Sequence, residues 1–544
     1  MKPKIDRFLL PVLLLLVSSA RLNAAELVYP GLDWERDTKG LSPESVRGVD
    51  AFVRTLDTTG LMVVQHGRVI YEFGDVTRLS YLASARKSVL SMLYGPYVAS
   101  RKIRLDATLK DLGMSDLGGL LPVEERAKVI DLITARAGAY HRASNPGDLL
   151  FMAPKRGSKE PGSWWLYNNW DFNAAGAAFE KMTGKDIYDA LRDNLAIPID
   201  MQDFERRRQQ KSGDMTASQY PAYHMLLSTR DMARLGLLML RQGRWRDRQL
   251  IPAEWVRRST TVCTPPAGLR PWELRNGPLG YGYMWWAWDG SSAAGPYRGA
   301  YTAIGAYGQY ITVLPELDMV VAHKSCPPGK VSQSDYFHLL NLLTRNKPAS
   351  STELTLWKHI PRVCRIFRRA SRGPKLLMDA VDIRPTTAGL VAGVVCLGVF
   401  LFLKKFGFRK CFQVAVPTAA ILVILLGVVA WLLVPATAPA LPKARIAVRL
   451  DPKTYDAYAG RYLMDGKFRG GGVVITIKHE GDALIRQEPG RFPEEIFPES
   501  ETVFFNNTED LQLTFKKNSQ GEVTAMIHRL AGLPDSEGKK LKNE

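Results

Sequence analysis

Ser84 and Lys87 stand three residues apart in Ser84-Ala85-Arg86-Lys87, and the following Ser88-Val89-Leu90-Ser91-Met92-Leu93-Tyr94 reads as a helix. On a helix this spacing puts both side chains on one face. A neutral lysine amine can then take the serine proton. The helix N-terminus favours an oxyanion near the serine amide and disfavours a protonated lysine beside it. The implied chemistry is that of a serine nucleophile. The pattern alone is weak, because Ser-x-x-Lys is expected about twice by chance in a chain of this size. Ser536-Glu537-Gly538-Lys539 matches it as well, in a charged tail where nothing would preorganise it.

A second group follows Pro161-Gly162-Ser163-Trp164-Trp165: Tyr167-Asn168-Asn169. On an extended loop Tyr167 and Asn169 point the same way. The phenol could relay a proton, and the amide could orient a substrate and the lysine. The competing reading is a Trp/Tyr-rich loop that only packs. A third group is Ala303-Ile304-Gly305-Ala306-Tyr307-Gly308-Gln309. Glycines there would let a substrate approach the backbone, and a backbone N–H could complete an oxyanion hole. The competing reading is a bulged edge strand.

Absent motifs narrow the field. No G-x-S-x-G elbow, no H-E-x-x-H or H-x-H cluster among the eight His, and no G-x-x-x-x-G-K-[ST] loop occurs. An α/β-hydrolase, a zinc hydrolase and a phosphate-loop enzyme are therefore disfavoured, and no cofactor or metal is expected.

The elements that must position these residues follow from patterning. Ser42-Pro43 opens a helix striped by Val46, Val49, Phe52, Val53 and Leu56. Leu61–Val64 and Val69–Phe73 flank His66-Gly67 as a hairpin, and Gly308–Leu314 and Met319–Ala322 flank Pro315–Asp318 as another. Ser334 caps a closing helix. Early strands, a helical middle, late strands and a terminal helix predict an α/β (α+β) domain with one antiparallel sheet and helices packed on it. Beyond it, Val473–Lys478, Ala483–Gln487, Thr502–Phe505, Leu511–Lys516 and Val523–His528 read as strands of a small barrel or sandwich.

The order Ser-x-x-Lys, Tyr-x-Asn, Gly-rich strand resembles the serine β-lactamase/penicillin-binding-protein-like superfamily. It looks most like the branch of class C β-lactamases, DD-peptidases, esterases and nylon-oligomer hydrolases. Asp131–Gly138, Tyr167–Gly176 and Ser228–Arg234 resemble further segments of that family, so the likeness covers about residues 40–345. The C-terminal segment resembles a lipocalin-like β-domain. The resemblance implies a β-lactamase-like fold. It makes Ser84 the acylated nucleophile, Lys87 its proton acceptor and Tyr167 an acid/base partner. Asn169 would position substrate, and the amides of Ser84 and Ala306 would form the oxyanion hole. One departure matters. Where β-lactamases carry Lys-Thr-Gly, this chain has Ala303-Ile304-Gly305. The cation that grips a substrate carboxylate is missing there, which favours an ester or unusual amide over penicillin.

The rest of the 544 residues bears on address and charge. Lys2, Lys4 and Arg7 precede a short apolar run from Phe8 to Val17, which reads as a signal peptide over 1–25. Thr387–Leu403 and Phe412–Val434 are uncharged and flank a basic loop, which predicts a two-helix transmembrane hairpin. The expected layout is a signal peptide (1–25), a hydrolase domain (26–346), a basic linker (347–386), two membrane helices (387–403 and 412–434) and a barrel-like domain (450–535). Both globular domains would face the extracytoplasmic side of the cell membrane. With 46% hydrophobic and 23% charged residues the chain is globular, and part of its net charge of +19 gathers beside the predicted hairpin. Membrane lipids explain that charge better than nucleic acid, for which no motif occurs. The expected partners are thus a small ester, amide or peptide substrate and membrane lipids, with no nucleic acid and no obligate protein partner. Alternatives are an inactive envelope-binding module and a cell-wall DD-carboxypeptidase. Trp164, Trp165, Trp285, Trp286 and Trp288 could wall a cleft or simply fill the core. Cys263 and Cys326 are the one pair available for a disulfide within the hydrolase segment.

Overall fold

A computed structural model describes residues 27–344 and 447–541, apart from 146, 326–328, 469, 507–510 and 531–533. The first domain is built on α1 (Pro43–Val53), β1 (Thr58–Gln65), β2 (Arg68–Gly74), α2 (Ala85–Ala99), α3 (Asn169–Thr183) and α4 (Thr229–Leu240). It is completed by β3 (Leu279–Tyr281), β4 (Trp286–Trp288), β5 (Tyr301–Gly305), β6 (Gln309–Leu314), β7 (Met319–Ser325) and α5 (Gln333–Thr344). The seven strands form one sheet in the order β2-β1-β7-β6-β5-β4-β3, with every neighbouring pair antiparallel. First and last strands of the domain thus meet at β1 and β7, which closes the domain around its helical middle.

Local chemistry explains the element ends. Ser42 Oγ accepts from the Ser45 amide and Pro43 occupies the first turn of α1. His66 and Gly67 both take positive φ, 51° and 78°, the two-residue turn whose twist suits a hairpin. The closing helix starts earlier than expected: Ser332 Oγ accepts from the Asp335 amide, so the cap is Ser332 rather than Ser334. One face of the sheet packs on α2, α3 and α4 through Val89, Leu93, Phe172, Leu235 and Ala303. The other packs on α1 and α5 through Val49, Val53, Tyr336 and Leu340. Residues Ala85 to Gly95 of α2 are all buried, so α2 is a core helix rather than an amphipathic one.

The second domain is a closed eight-stranded barrel. Its strands are β8 (Gly460–Met464), β9 (Val474–Glu480), β10 (Ala483–Gln487), β11 (Glu494–Pro498), β12 (Val503–Asn506), β13 (Leu511–Lys517), β14 (Val523–Leu530) and β15 (Ser536–Lys540). Patterning locates five of them; β8, β11 and β15 become strands by pairing with neighbours. Tyr462 pairs with Lys540, which joins the last strand to the first.

The expected transmembrane hairpin is corrected. Among the described residues no helix is long and apolar enough to cross a membrane. The reason is length: the longest described helices, α2 and α3, have 15 residues each, short of the roughly 20 a span requires. Thr387–Leu403 and Phe412–Val434 lie outside the described residues, as do the signal-peptide segment, the linker and Cys326. The fold is an α/β domain followed by an eight-stranded barrel.

Candidate active site

Ser84 is the residue before α2, and its side chain makes no capping bond, which leaves the hydroxyl to Lys87. The preceding Ala83 has φ +47°, an uncommon conformation for a residue with a Cβ. One helical turn on, Lys87 Nζ lies 2.9 Å from Ser84 Oγ, 2.7 Å from Tyr167 Oη and 2.7 Å from Asn169 Oδ1. Ser84 also hydrogen-bonds Tyr167. The residues of the first two motifs, 80 positions apart in sequence, are therefore one cluster.

Burial shifts the titration of both ionisable groups in this cluster. Burial pushes the Lys87 amine well below the ordinary lysine range, the neighbouring Arg86 adds to the effect, and Asp148 opposes it. Burial raises the Tyr167 phenol to about 12, with Ser84 and Arg86 pulling it back. A neutral amine has two protons to give and one lone pair. The Asn169 carbonyl oxygen can only accept, so it takes one N–H. The lone pair is then available to a neighbouring hydroxyl, Ser84 or Tyr167.

Arg86 points away from this cluster. Its guanidinium stands 5.0 Å from the Tyr223 ring centre and donates to Asn173 Oδ1 and to the Ala83 carbonyl. The corner carrying Tyr167 and Asn169 is held from the 144–149 loop. Asp148 Oδ2 accepts from the Asn169 amide at 3.2 Å, and the Leu149 amide donates to the Tyr167 carbonyl at 2.9 Å. Asn168 caps α3, its Oδ1 accepting from the Trp170 amide.

β5 brings the third motif to the same place. A Cβ on Gly305 would lie 2.3 Å from the Leu82 carbonyl oxygen and 3.1 Å from the Ala85 nitrogen. Only glycine allows the strand to run this close to the segment that carries Ser84. Ala306 opens the turn into β6, with Tyr307 at φ +69° and Gly308 at φ +107°. The turn is secured from beneath by His323, whose Nδ1 lies 2.8 Å from the Gly308 carbonyl and whose Nε2 lies 2.9 Å from Thr58 Oγ1. The carbonyl must accept, so Nδ1 carries the proton and Nε2 accepts from the threonine. Burial lowers the His323 pKa to about 4, which keeps this tautomer neutral.

The five tryptophans divide. Trp165 and Trp286 meet around Tyr281 and flank Tyr167: Trp286 stacks on the Tyr167 ring at 6.1 Å, and Trp165 lies 6.2 Å from Trp286. Trp164 sits between Lys159 and Arg270, 4.4 and 4.6 Å from its ring. Trp285 packs on Tyr301 in the core, and Trp288 packs on Tyr297 and Phe337. Ala303, at the position of the missing cation, is fully buried.

Sequence reasoning did not find Asp148, Arg86, His323 or Thr58. Arg86 lay inside the first motif, and Asp148 within a turn-rich Asn-Pro-Gly-Asp stretch. His323 and Thr58 gave no local signal. Ser536, the second Ser-x-x-Lys match, is buried in β15. In a strand, residues three apart point to opposite faces, so Ser536 and Lys539 cannot act together.

Compared with known proteins, residues 49–324 match the profile of the Beta-lactamase family and residues 444–542 match a domain of unknown function (DUF3471). Solved structures with a similar fold include EstCE1, a hydrolase with promiscuous acyltransferase activity, at 16% identity and TM-score 0.41, covering 56% of this chain and 98% of its own. A penicillin-binding protein homologue from Caulobacter crescentus is 15% identical, TM-score 0.40, covering 52% and 92%. SurE is 14% identical, TM-score 0.40, covering 91% and 98%. No curated protein matches the chain. With the family profile spanning just over half of its 544 residues, this chain belongs to the Beta-lactamase family.

Proposed function

We propose that this protein is a serine hydrolase that works through an acyl-enzyme on Ser84, with a neutral hydrophobic ester as its substrate class. The observation that carries this reading is the buried Lys87 amine, 2.9 Å from Ser84 Oγ and held by Asn169 and Tyr167. Lys87 accepts the serine proton as Oγ attacks the carbonyl carbon. The amides of Ser84 and Ala306 receive the developing oxyanion. The proton passes through Tyr167 to the leaving alcohol, and the bond between acyl carbon and alkoxide oxygen breaks. Water, deprotonated by the same groups, then releases the acid and restores Ser84.

Substrate preference follows from two features. The Trp165–Trp286 wall beside Tyr167 offers apolar area. Buried Ala303 offers no charge to a carboxylate. Neutral apolar esters are therefore turned over faster than penicillins or peptides ending in D-Ala-D-Ala.

A fluorophosphonate probe and a panel of p-nitrophenyl esters, read by intact mass, test this. Wild type should gain one covalent adduct, Ser84→Ala none, and Ser536→Ala should behave as wild type. Equal labelling of the Ser84→Ala variant would rule the assignment out, and faster turnover of penicillin than of ester would overturn the substrate class.

A further inference from the structure

We propose that the C-terminal barrel braces the corner that carries Tyr167 and Asn169, so that the acyl-transfer cluster depends on a domain that contributes no residue to it. The proposal rests on the serine-hydrolase reading for its kinetic consequence only.

The brace is a short run of hydrogen bonds. The turn between β10 and β11 lies alongside residues 213–215 and makes one antiparallel bridge with them, Asp214 to Arg491. Phe492 donates its amide to the Gly213 carbonyl at 2.9 Å, and Gly490 accepts from the Met215 amide at 2.6 Å, with Asp214 and Arg491 paired between them. The 213–215 segment in turn presses on the 144–149 loop. The Asp214 amide donates to the Ser144 carbonyl at 2.7 Å, and a Cβ on Gly213 would come within 2.7 Å of the Ser144 side chain. That loop holds the relay residues. Asp148 takes the Asn169 amide, Leu149 binds the Tyr167 carbonyl, and Asn145 Oδ1 accepts from Asn173, one turn beyond Asn169, at 2.9 Å. Barrel turn, 213–215 segment and 144–149 loop are thus three stacked layers behind the cluster.

Both ends of the brace are anchored. A buried ionic group inside the barrel shapes the turn: Arg486 pairs with Glu488 at 2.5 Å and with Glu494 at 3.3 Å, and Arg491 reaches Glu494 at 3.8 Å. Such a buried pair adds little net stability but defines one geometry for the chain around it. Outside, Arg207 donates to Asp482 at 2.7 Å and to Glu495 at 3.0 Å. Gln210 accepts from the Glu495 amide, and the Arg208 guanidinium stands 5.2 Å from the Phe497 ring centre. These contacts clasp residues 207–210 to the barrel wall beside that bridge.

The test uses the full chain. Arg207→Glu sets a carboxylate against Asp482 and Glu495; Met215→Pro deletes the amide that Gly490 accepts; Arg207→Glu with Asp482→Arg restores an opposite pair. The first readout is hydrogen–deuterium exchange over 144–150 and 165–173. Both single changes should raise exchange there while α4 and β7 stay protected, and the double change should restore it. The second is the acylation rate per labelled Ser84, expected to fall about tenfold, as a small misplacement of reacting groups does, and to recover in the double variant. Unchanged exchange in both single variants overturns the brace. So does a loss confined to the labelled fraction at a wild-type rate, which is what a merely stabilising barrel would give. An unlabelled wild type would instead remove the serine-hydrolase reading, and the exchange result would still decide the brace.

Discussion

Lys87 Nζ lies 2.7 Å from Asn169 Oδ1, an atom that can only accept a hydrogen bond. This one contact orients the amine. It commits an N–H to the amide, and a neutral amine then has one N–H and its lone pair left for the two hydroxyls, Ser84 and Tyr167. In the proposed mechanism the asparagine orients the lone pair of the amine, as a carboxylate orients a catalytic imidazole.

The charge on Asp148 opposes the burial that lowers the Lys87 pKa. Asp148→Asn removes that opposition, so the Lys87 pKa falls further. A base must be neutral to act, and the rate is lost as pH falls through its pKa. The acidic limb of the acylation profile should therefore move to lower pH in Asp148→Asn, with the plateau rate within about threefold of wild type. A limb that moves to higher pH would contradict this electrostatic assignment.

His323 is neutral in the folded protein because burial holds its pKa at about 4, below the ordinary 6.5. The unfolded chain binds the extra proton first. Stability from this group is complete above about pH 6.5 and is lost as pH falls toward about 4. Burial lowers the pKa of His224 too, so it acts in the same direction. In His323→Gln the deficit in Tm should be largest near pH 8 and shrink toward pH 4.5. The turn bearing Ala306 should also loosen, lowering kcat about tenfold with KM little changed. A Tm deficit independent of pH would refute the neutral-imidazole assignment.

Trp286 and Trp288 lie two residues apart on β4, on one face of the strand, but meet different neighbours: Trp286 packs on Tyr167, Trp165 and Tyr281, and Trp288 on Tyr297 and Phe337. Trp286→Ala should raise KM for long-chain esters about tenfold and leave Tm nearly unchanged. Trp288→Ala should cost about 3–5 kcal/mol of stability and leave KM alone. Ester kinetics and thermal melts on the two variants check this; equal KM effects would show that Trp286 is not part of the substrate wall.

Much of this molecule was legible from local pattern. Ser84 and Lys87 share a helix face because the helical repeat is local, and His66-Gly67 makes a hairpin because two adjacent residues accept positive φ. The two expected hairpins of the first domain, the cap at Ser42 and five barrel strands follow from the same kind of information. What sequence could not decide was which equal patterns meet. Ser536 and Lys539 have the spacing of Ser84 and Lys87, yet strand pairing sends them to opposite faces. Trp165 and Trp286 line the cluster while Trp285 and Trp288 pack elsewhere, because the strands and helices packed around each ring, and not the strand period, set what it meets. His323 reaches the turn at Ala306–Gly308, and the barrel turn reaches residues 213–215, only through contacts distant in sequence. Periodicity is a property of neighbours along the chain; the proposed proton relay, the lowered lysine pKa and the proposed brace depend on burial and on atoms brought together from many residues away. By itself the sequence determined the chemistry available. Tertiary packing decided which serine lies beside a buried lysine.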